Sequence, residues 1–122
     1  MLILKLIRII LGEIIIALDF LIPVKRKKRS VAEQNDVNNT LNAYALYEFR
    51  RCPFCVKVRR HMRRLNIDIE RRDALKNKIY EQDLINQGGK RKVPCLRIEK
   101  EGKVEWLYQS KVINAYLSSQ FA

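Results

Sequence analysis

Ala45-Leu46-Tyr47-Glu48-Phe49-Arg50-Arg51-Cys52-Pro53-Phe54-Cys55 is the stretch on which the reading of this chain turns. Ala45 to Phe49 is a short apolar and aromatic run and predicts a strand. Pro53 suits the first turn of a helix, where its missing N–H costs nothing. Cys55, Val58, Met62 and Leu65 then recur at helical spacing, with Arg59, Arg60, Arg63 and Arg64 on the other faces. Cys52 therefore falls where a strand gives way to a helix. Its sulfur meets the positive end of the helix dipole and unpaired backbone N–H groups, a setting that favours thiolate over thiol. Arg50, Arg51, Lys57 and Arg59 add positive charge nearby. Cys55 is one turn further on and on a more buried face, as a resolving thiol requires.

Downstream, Ile67 and Ile69 alternate with Asp68 and Glu70 and predict a second strand. Asp73 is placed to cap a helix carrying Ile79, Leu84 and Ile85, closed by Gly88-Gly89. Val93 to Ile98 and Val104 to Tyr108 predict two more strands around a turn at Glu101-Gly102. Ser110 is expected to cap a last helix bearing Val112, Ile113, Tyr116 and Leu117. This order of elements specifies an α/β sandwich with a mixed sheet over residues 43–122. Pro94 is awkward at the start of a paired strand. A cis Val93-Pro94 bond, which costs only about 0.5–1 kcal/mol before proline, would leave the Val93 backbone groups facing an extended ligand beside the cysteines.

Upstream the character changes. Sixteen of the residues from Met1 to Val24 are Leu, Ile, Val or Phe, interrupted by Lys5, Arg8, Glu13 and Asp19. As a helix this stretch would reach roughly 36 Å, enough for a bilayer core of about 30 Å. Residues 1–24 are therefore expected to be a membrane-anchor helix. Lys5, Arg8, Gly12 and Asp19 share one side of it, so a helix lying in the membrane interface or a span that self-associates through this stripe is also open. The basic run Lys25 to Arg29 would hold the rest of the chain on the inner, cytoplasmic face. Residues 25–42 are expected to be that basic run and a polar linker.

The chain has 25 Lys and Arg against 13 Asp and Glu. That balance suits nucleic acid, an anionic membrane or an acidic ligand. No interleaved aromatics or reading motif accompany the charge, so nucleic acid is not expected as a partner. Three cysteines are too few for a secreted disulfide framework. A zinc site needs four ligands, and beyond the Cys-x-x-Cys only Cys95 and His61 remain. His61 lies along a helix whose dipole and arginines repel a cation, so no metal is expected. Cys95 reads as a small core residue and His61 as a solvated one.

Cys52-Pro53-Phe54-Cys55 at a strand–helix turn, then Lys92-Val93-Pro94, then Gln109-Ser110 opening the last helix, resembles a glutaredoxin of the thioredoxin fold over residues 43–122. The resemblance implies a βαβαββα domain and glutathione as reductant and ligand. It implies Cys52 and Cys55 as a redox-active pair, with Phe54, Val93 and Pro94 at the glutathione site and Val93 pairing with the tripeptide backbone. Gln109 and Ser110 would meet its γ-glutamyl carboxylate at a helix N-terminus, an anion site on physical grounds too. Many glutaredoxins carry a lysine where Phe49 stands, so Arg50, Arg51 or Lys92 would take the glycyl carboxylate. Gln109-Ser110 is instead similar to the N-terminal domain of glutathione transferases, a feature shared by prostaglandin E synthase type 2. The activity implied is reduction of protein disulfides or protein–glutathione mixed disulfides, as electron transport at a membrane with membrane proteins as clients. The alternatives are a transferase-like enzyme and a non-catalytic glutathione- or partner-binding module.

Overall fold

The computed structural model describes residues 1–122. Five helices and four strands run in the order α1 (Leu2–Leu21), α2 (Val31–Leu41), β1 (Tyr44–Glu48), α3 (Pro53–Leu65), β2 (Glu70–Asp73), α4 (Lys78–Asn86), β3 (Cys95–Lys100), β4 (Lys103–Tyr108) and α5 (Ser110–Phe121). The sheet order is β2-β1-β3-β4. β1 pairs with β2 in parallel and with β3 antiparallel. β3 pairs with β4 antiparallel, Cys95 opposite Tyr108. This is the mixed-sheet, thioredoxin-like arrangement that the pattern of elements implies.

β1 is buried along its whole length, because helices cover both faces of the sheet. Tyr44 and Leu46 point into a core shared with Val58, Met62, Leu96 and Ile113. Ala45 and Tyr47 point the other way, toward Leu84 of α4 and Cys95. α3 and α5 thus sit on one face and α4 on the other. The strand-to-helix junction that carries Cys52 hangs from the most deeply buried strand.

Several boundaries differ from expectation. β2 begins at Glu70, one turn of chain later than the alternation at Ile67 and Ile69 predicts; those two side chains enter the core ahead of the strand. Asn77, not Asp73, caps α4, its side chain accepting from the Ile79 N–H. Asp73 instead accepts from the N–H groups of Leu75 and Lys76 in the turn after β2. Gln109 is the residue before α5, and Ser110 is the first helical residue rather than its cap.

The polar segment after the basic run is a helix, α2, instead of a linker. Ser30 accepts from the Glu33 N–H at 3.2 Å, and Ser30-Val-Ala-Glu33 is the sequence pattern of a capping box. Leu41 closes the helix into the core. The basic run ahead of it is tied down by backbone acceptors. Arg29 donates to the carbonyls of Phe121 at 2.5 Å and Asn66 at 3.3 Å, and the Lys27 N–H to that of Arg64 at 2.9 Å. These carbonyls lie at the C-terminal ends of α5 and α3, where unsatisfied acceptors and the helix dipole favour cations.

The membrane anchor is corrected outright. No helix of the structure is long and apolar enough to cross a membrane. α1 is 20 residues long and carries Lys5, Arg8, Glu13 and Asp19 within that length. Gly12 and Asp19 of its polar stripe, with Glu13, pack on the chain's own domain instead, while Lys5 and Arg8 stay exposed. Gly12 is the buried residue of α1, and a Cβ there would lie 2.8 Å from the Cβ of Arg51. Glycine is costly inside a helix; here it permits a close approach. Glu13 takes Arg50 at 2.5 Å and Arg51 at 2.7 Å. Asp19 takes Arg60 at 3.2 Å and also Arg63. The inner-membrane location, a lipid partner, membrane clients and electron transport at a membrane lose their support with the anchor.

Candidate functional site

Cys52 precedes the first residue of α3 in extended conformation, and its own side chain does not cap the helix. Its N–H donates to the Phe49 carbonyl at 3.2 Å, fixing the turn. The sulfur is left facing the N–H groups of Phe54 and Cys55. The Cys52 thiol is lowered to about 6, chiefly by the hydrogen bond from Cys55, then by those two N–H groups and the Arg59 charge, against an opposing effect of burial. Cys55 is fully buried. Its thiol is pushed far up by the hydrogen bond it gives Cys52 and by burial. The pair is thus divided into a half-buried, acidified thiol and a fully buried thiol that donates to it.

Arg59 is held behind this turn. It pairs with Glu48 at 2.6 Å, both side chains about nine-tenths buried, and donates to the Arg50 carbonyl at 2.8 Å. One guanidinium thereby links the end of β1, the turn and α3. An Arg fork satisfying a carboxylate and a carbonyl at once is well matched to such a join.

A cavity of about 700 Å³ opens beside Cys52, lined by Phe49, Phe54, Lys57, Lys90, Lys92, Val93, Pro94, Tyr108, Gln109, Ser110 and Lys111. The Val93-Pro94 bond is cis. Val93 lies just outside β3, and neither its N–H nor its carbonyl has a backbone partner. Gln109 adopts φ 70° and ψ 128°, a conformation uncommon for a residue with a side chain. It carries the chain from β4 into α5 with the first N–H groups of that helix uncapped. The lining holds four lysines and no carboxylate. It suits an extended anionic ligand in size and charge.

Of the residues singled out from sequence, Cys52, Phe54, Lys92, Val93, Pro94, Gln109 and Ser110 gather around this cavity, with Cys55 directly behind. Arg50 and Arg51 do not. Both turn to Glu13 on α1, which is held well below the usual carboxylate range, at about 2, by them. Arg59 and Arg63 are likewise engaged, by Glu48 and Asp19. Lys90 and Lys111 were missed as site residues. Lys111 follows Ser110 directly, and Lys90 opens the run Lys90-Arg91-Lys92, so both had a local signal. Phe49 occupies the lysine position of the implied site, with Arg91 stacked 5.1 Å from its ring centre.

Cys95 lies on the other face of the sheet, fully buried with Tyr47 and Ala74. Burial pushes its thiol up to about 12. His61 is turned toward α5, its Nε2 2.7 Å from the Ser118 hydroxyl, and burial lowers its pKa.

Residues 45–103 match the family model described as Glutaredoxin. Two crystal structures of maleylacetoacetate isomerase from Anaeromyxobacter dehalogenans resemble the chain, one with GSH and one with dicarboxyethyl glutathione and citrate in the active site. Identity is 24% and 25%, with a TM-score of 0.49 in each case, over 65% of this chain. The chain spans 38% and 37% of the length of those enzymes. No curated protein matches it.

Proposed function

On the premise that this chain carries a glutaredoxin domain, matched over residues 45–103, we propose that it is a glutathione-dependent thiol–disulfide oxidoreductase with Cys52 as nucleophile. The observation that carries this reading is the lowered Cys52 thiol at the mouth of a cationic cavity. A thiol near 6 is largely thiolate at neutral pH, and remains a good leaving group when its adduct is resolved.

Glutathione is an extended tripeptide with two carboxylates. Val93 offers it an unpaired backbone N–H and carbonyl. The uncapped start of α5 at Gln109 and Ser110 suits the γ-glutamyl carboxylate. Lys92, with Lys57 or Lys90, takes the glycyl end in place of Arg50 and Arg51. Phe54 covers the thiol side. In the reaction, the Cys52 thiolate attacks the glutathione sulfur of a protein–glutathione disulfide. The old S–S bond breaks as the new one forms, and the client thiolate leaves and takes a proton from solvent. A second glutathione thiolate then attacks the adduct, releasing oxidised glutathione and the Cys52 thiolate. Cys55 supplies the hydrogen bond that stabilises that thiolate. A protein disulfide would first form a mixed disulfide with Cys52. Cys55, after deprotonation, would attack that bond and free the client dithiol. Two glutathione thiols would then reduce the resulting Cys52–Cys55 disulfide and leave as oxidised glutathione.

The test is reduction of a glutathionylated peptide by the purified chain. Cys52→Ser should abolish it and Cys55→Ser should retain part of it. Turnover that survives Cys52→Ser would favour a transferase-like enzyme built on Gln109-Ser110. Glutathione binding without turnover by the wild type would leave a binding module.

A further inference from the structure

We propose that the outward face of α1 is an interface between two copies of this chain. The helix has two faces of different kinds. One holds Gly12, Glu13 and Asp19 against α3 and the turn before it. The other carries Ile3, Ile7, Ile10, Ile14, Ala17 and Leu21, alternately four and three residues apart over three heptads. That 3.5-residue period is the seam of one helix packing along another. Lys5, Gly12 and Asp19 share the heptad position furthest from the seam, so docking on the domain leaves the seam facing outward.

The exposure agrees. Ile3, Ile7, Ile10 and Ile14 are 45–72% exposed, and the flanking Leu4, Leu11 and Leu18 are 50–60% exposed. Together these side chains present on the order of 800 Å² of apolar surface, what each partner contributes to an interface of standard size. A monomer's largest apolar patch is about 300–600 Å². No charged residue interrupts the stripe. A second copy supplies the same repeat at the same spacing and meets it with a self-complementary two-fold contact.

Sedimentation equilibrium of the full chain across the micromolar range tests this. The expected result is a monomer–dimer equilibrium, with a limiting mass twice the 14.5 kDa of one chain. Ile7→Glu with Ile14→Glu should weaken it at least tenfold, with far-UV circular dichroism and Cys52 alkylation unchanged. Ala17→Leu enlarges the one small seam position and should tighten the dimer roughly tenfold, which keeps the test decisive if the double variant does not fold. A single-chain mass throughout, a larger assembly, or a dimer indifferent to Ala17→Leu and to a folded double variant would overturn the proposal. So would a monomer that sediments with phosphatidylcholine vesicles, which would make lipid the occupant.

Discussion

α1 and β1 are both strongly apolar, yet they are stabilised in opposite ways. β1 is five residues long and all five are buried. α1 is 20 residues long, with Gly12 alone buried. β1 lies between two layers of helices, so each side chain finds a core whichever way it points. α1 touches the domain along one narrow stripe and is attached by ion pairs at Glu13 and Asp19. Aliphatic content alone therefore does not show where a segment is stabilised; the number of faces that find partners does.

Four experiments break or sharpen that contrast. The largest effect belongs to the turn that β1 supports. Cys52→Ser should reduce deglutathionylation to background, and alkylation of wild-type Cys52 should rise with pH through a midpoint near 6. The sign follows from the thiolate being the reactive form and being favoured in the fold. A midpoint near the free-thiol value of about 8.5 would contradict the proposed site.

Next comes packing. Leu96→Ala, next to β1 in the central core, should cost about 2–5 kcal/mol in urea unfolding. Leu2→Ala, at an exposed α1 position outside the seam, should stay within about 0.5 kcal/mol. Equal losses would erase the distinction between the two regions.

Glu48→Ala should cost about 3 kcal/mol, because it leaves the Arg59 guanidinium largely desolvated without its carboxylate. Restoring most of that stability with Arg59→Met in the same chain would identify the unpaired charge as the cause.

The smallest effect is at the α1 contact. Glu13→Gln should loosen the helix and speed tryptic cleavage within Lys25–Arg29 a few-fold. The Glu13 carboxyl is lowered in the fold, to about 2. Its contribution is therefore complete above the ordinary carboxylate range and disappears as pH falls toward 2. Salt should weaken it as well, since the pair is exposed. Cleavage indifferent to the substitution and to salt would mean that the contact does not hold α1.

Much of the site was legible because its signals are local. Cys52 and Pro53 mark a helix start by adjacency, Val93-Pro94 announces itself as a dipeptide, and Gln109-Ser110 follows a strand. Boundaries were less legible where a side chain has a choice of roles. Ile67 and Ile69 alternate as a strand does, but their burial is served by the loop into β2. Asp73 and Ser110 are cap-type residues one short shift from the positions where capping occurs. Ser30 and Glu33 did mark α2, but a polar composition obscured the pattern.

Taken by itself, the sequence determined the α/β class, the order of elements from β1 onward and the cysteine pair at a helix start, because periodicity, caps and proline act over a few residues. Only the tertiary structure decided which of the many basic side chains face Cys52. Glu13, 37 residues before Arg50 in the chain, draws Arg50 and Arg51 away, while the folded sheet brings Lys57, Lys90, Lys92 and Lys111 to one cavity. It also decided that the two acidic residues of α1, Glu13 and Asp19, are docking groups on its own domain. Ion pairs act through space with no period along the chain, so local pattern does not reveal them.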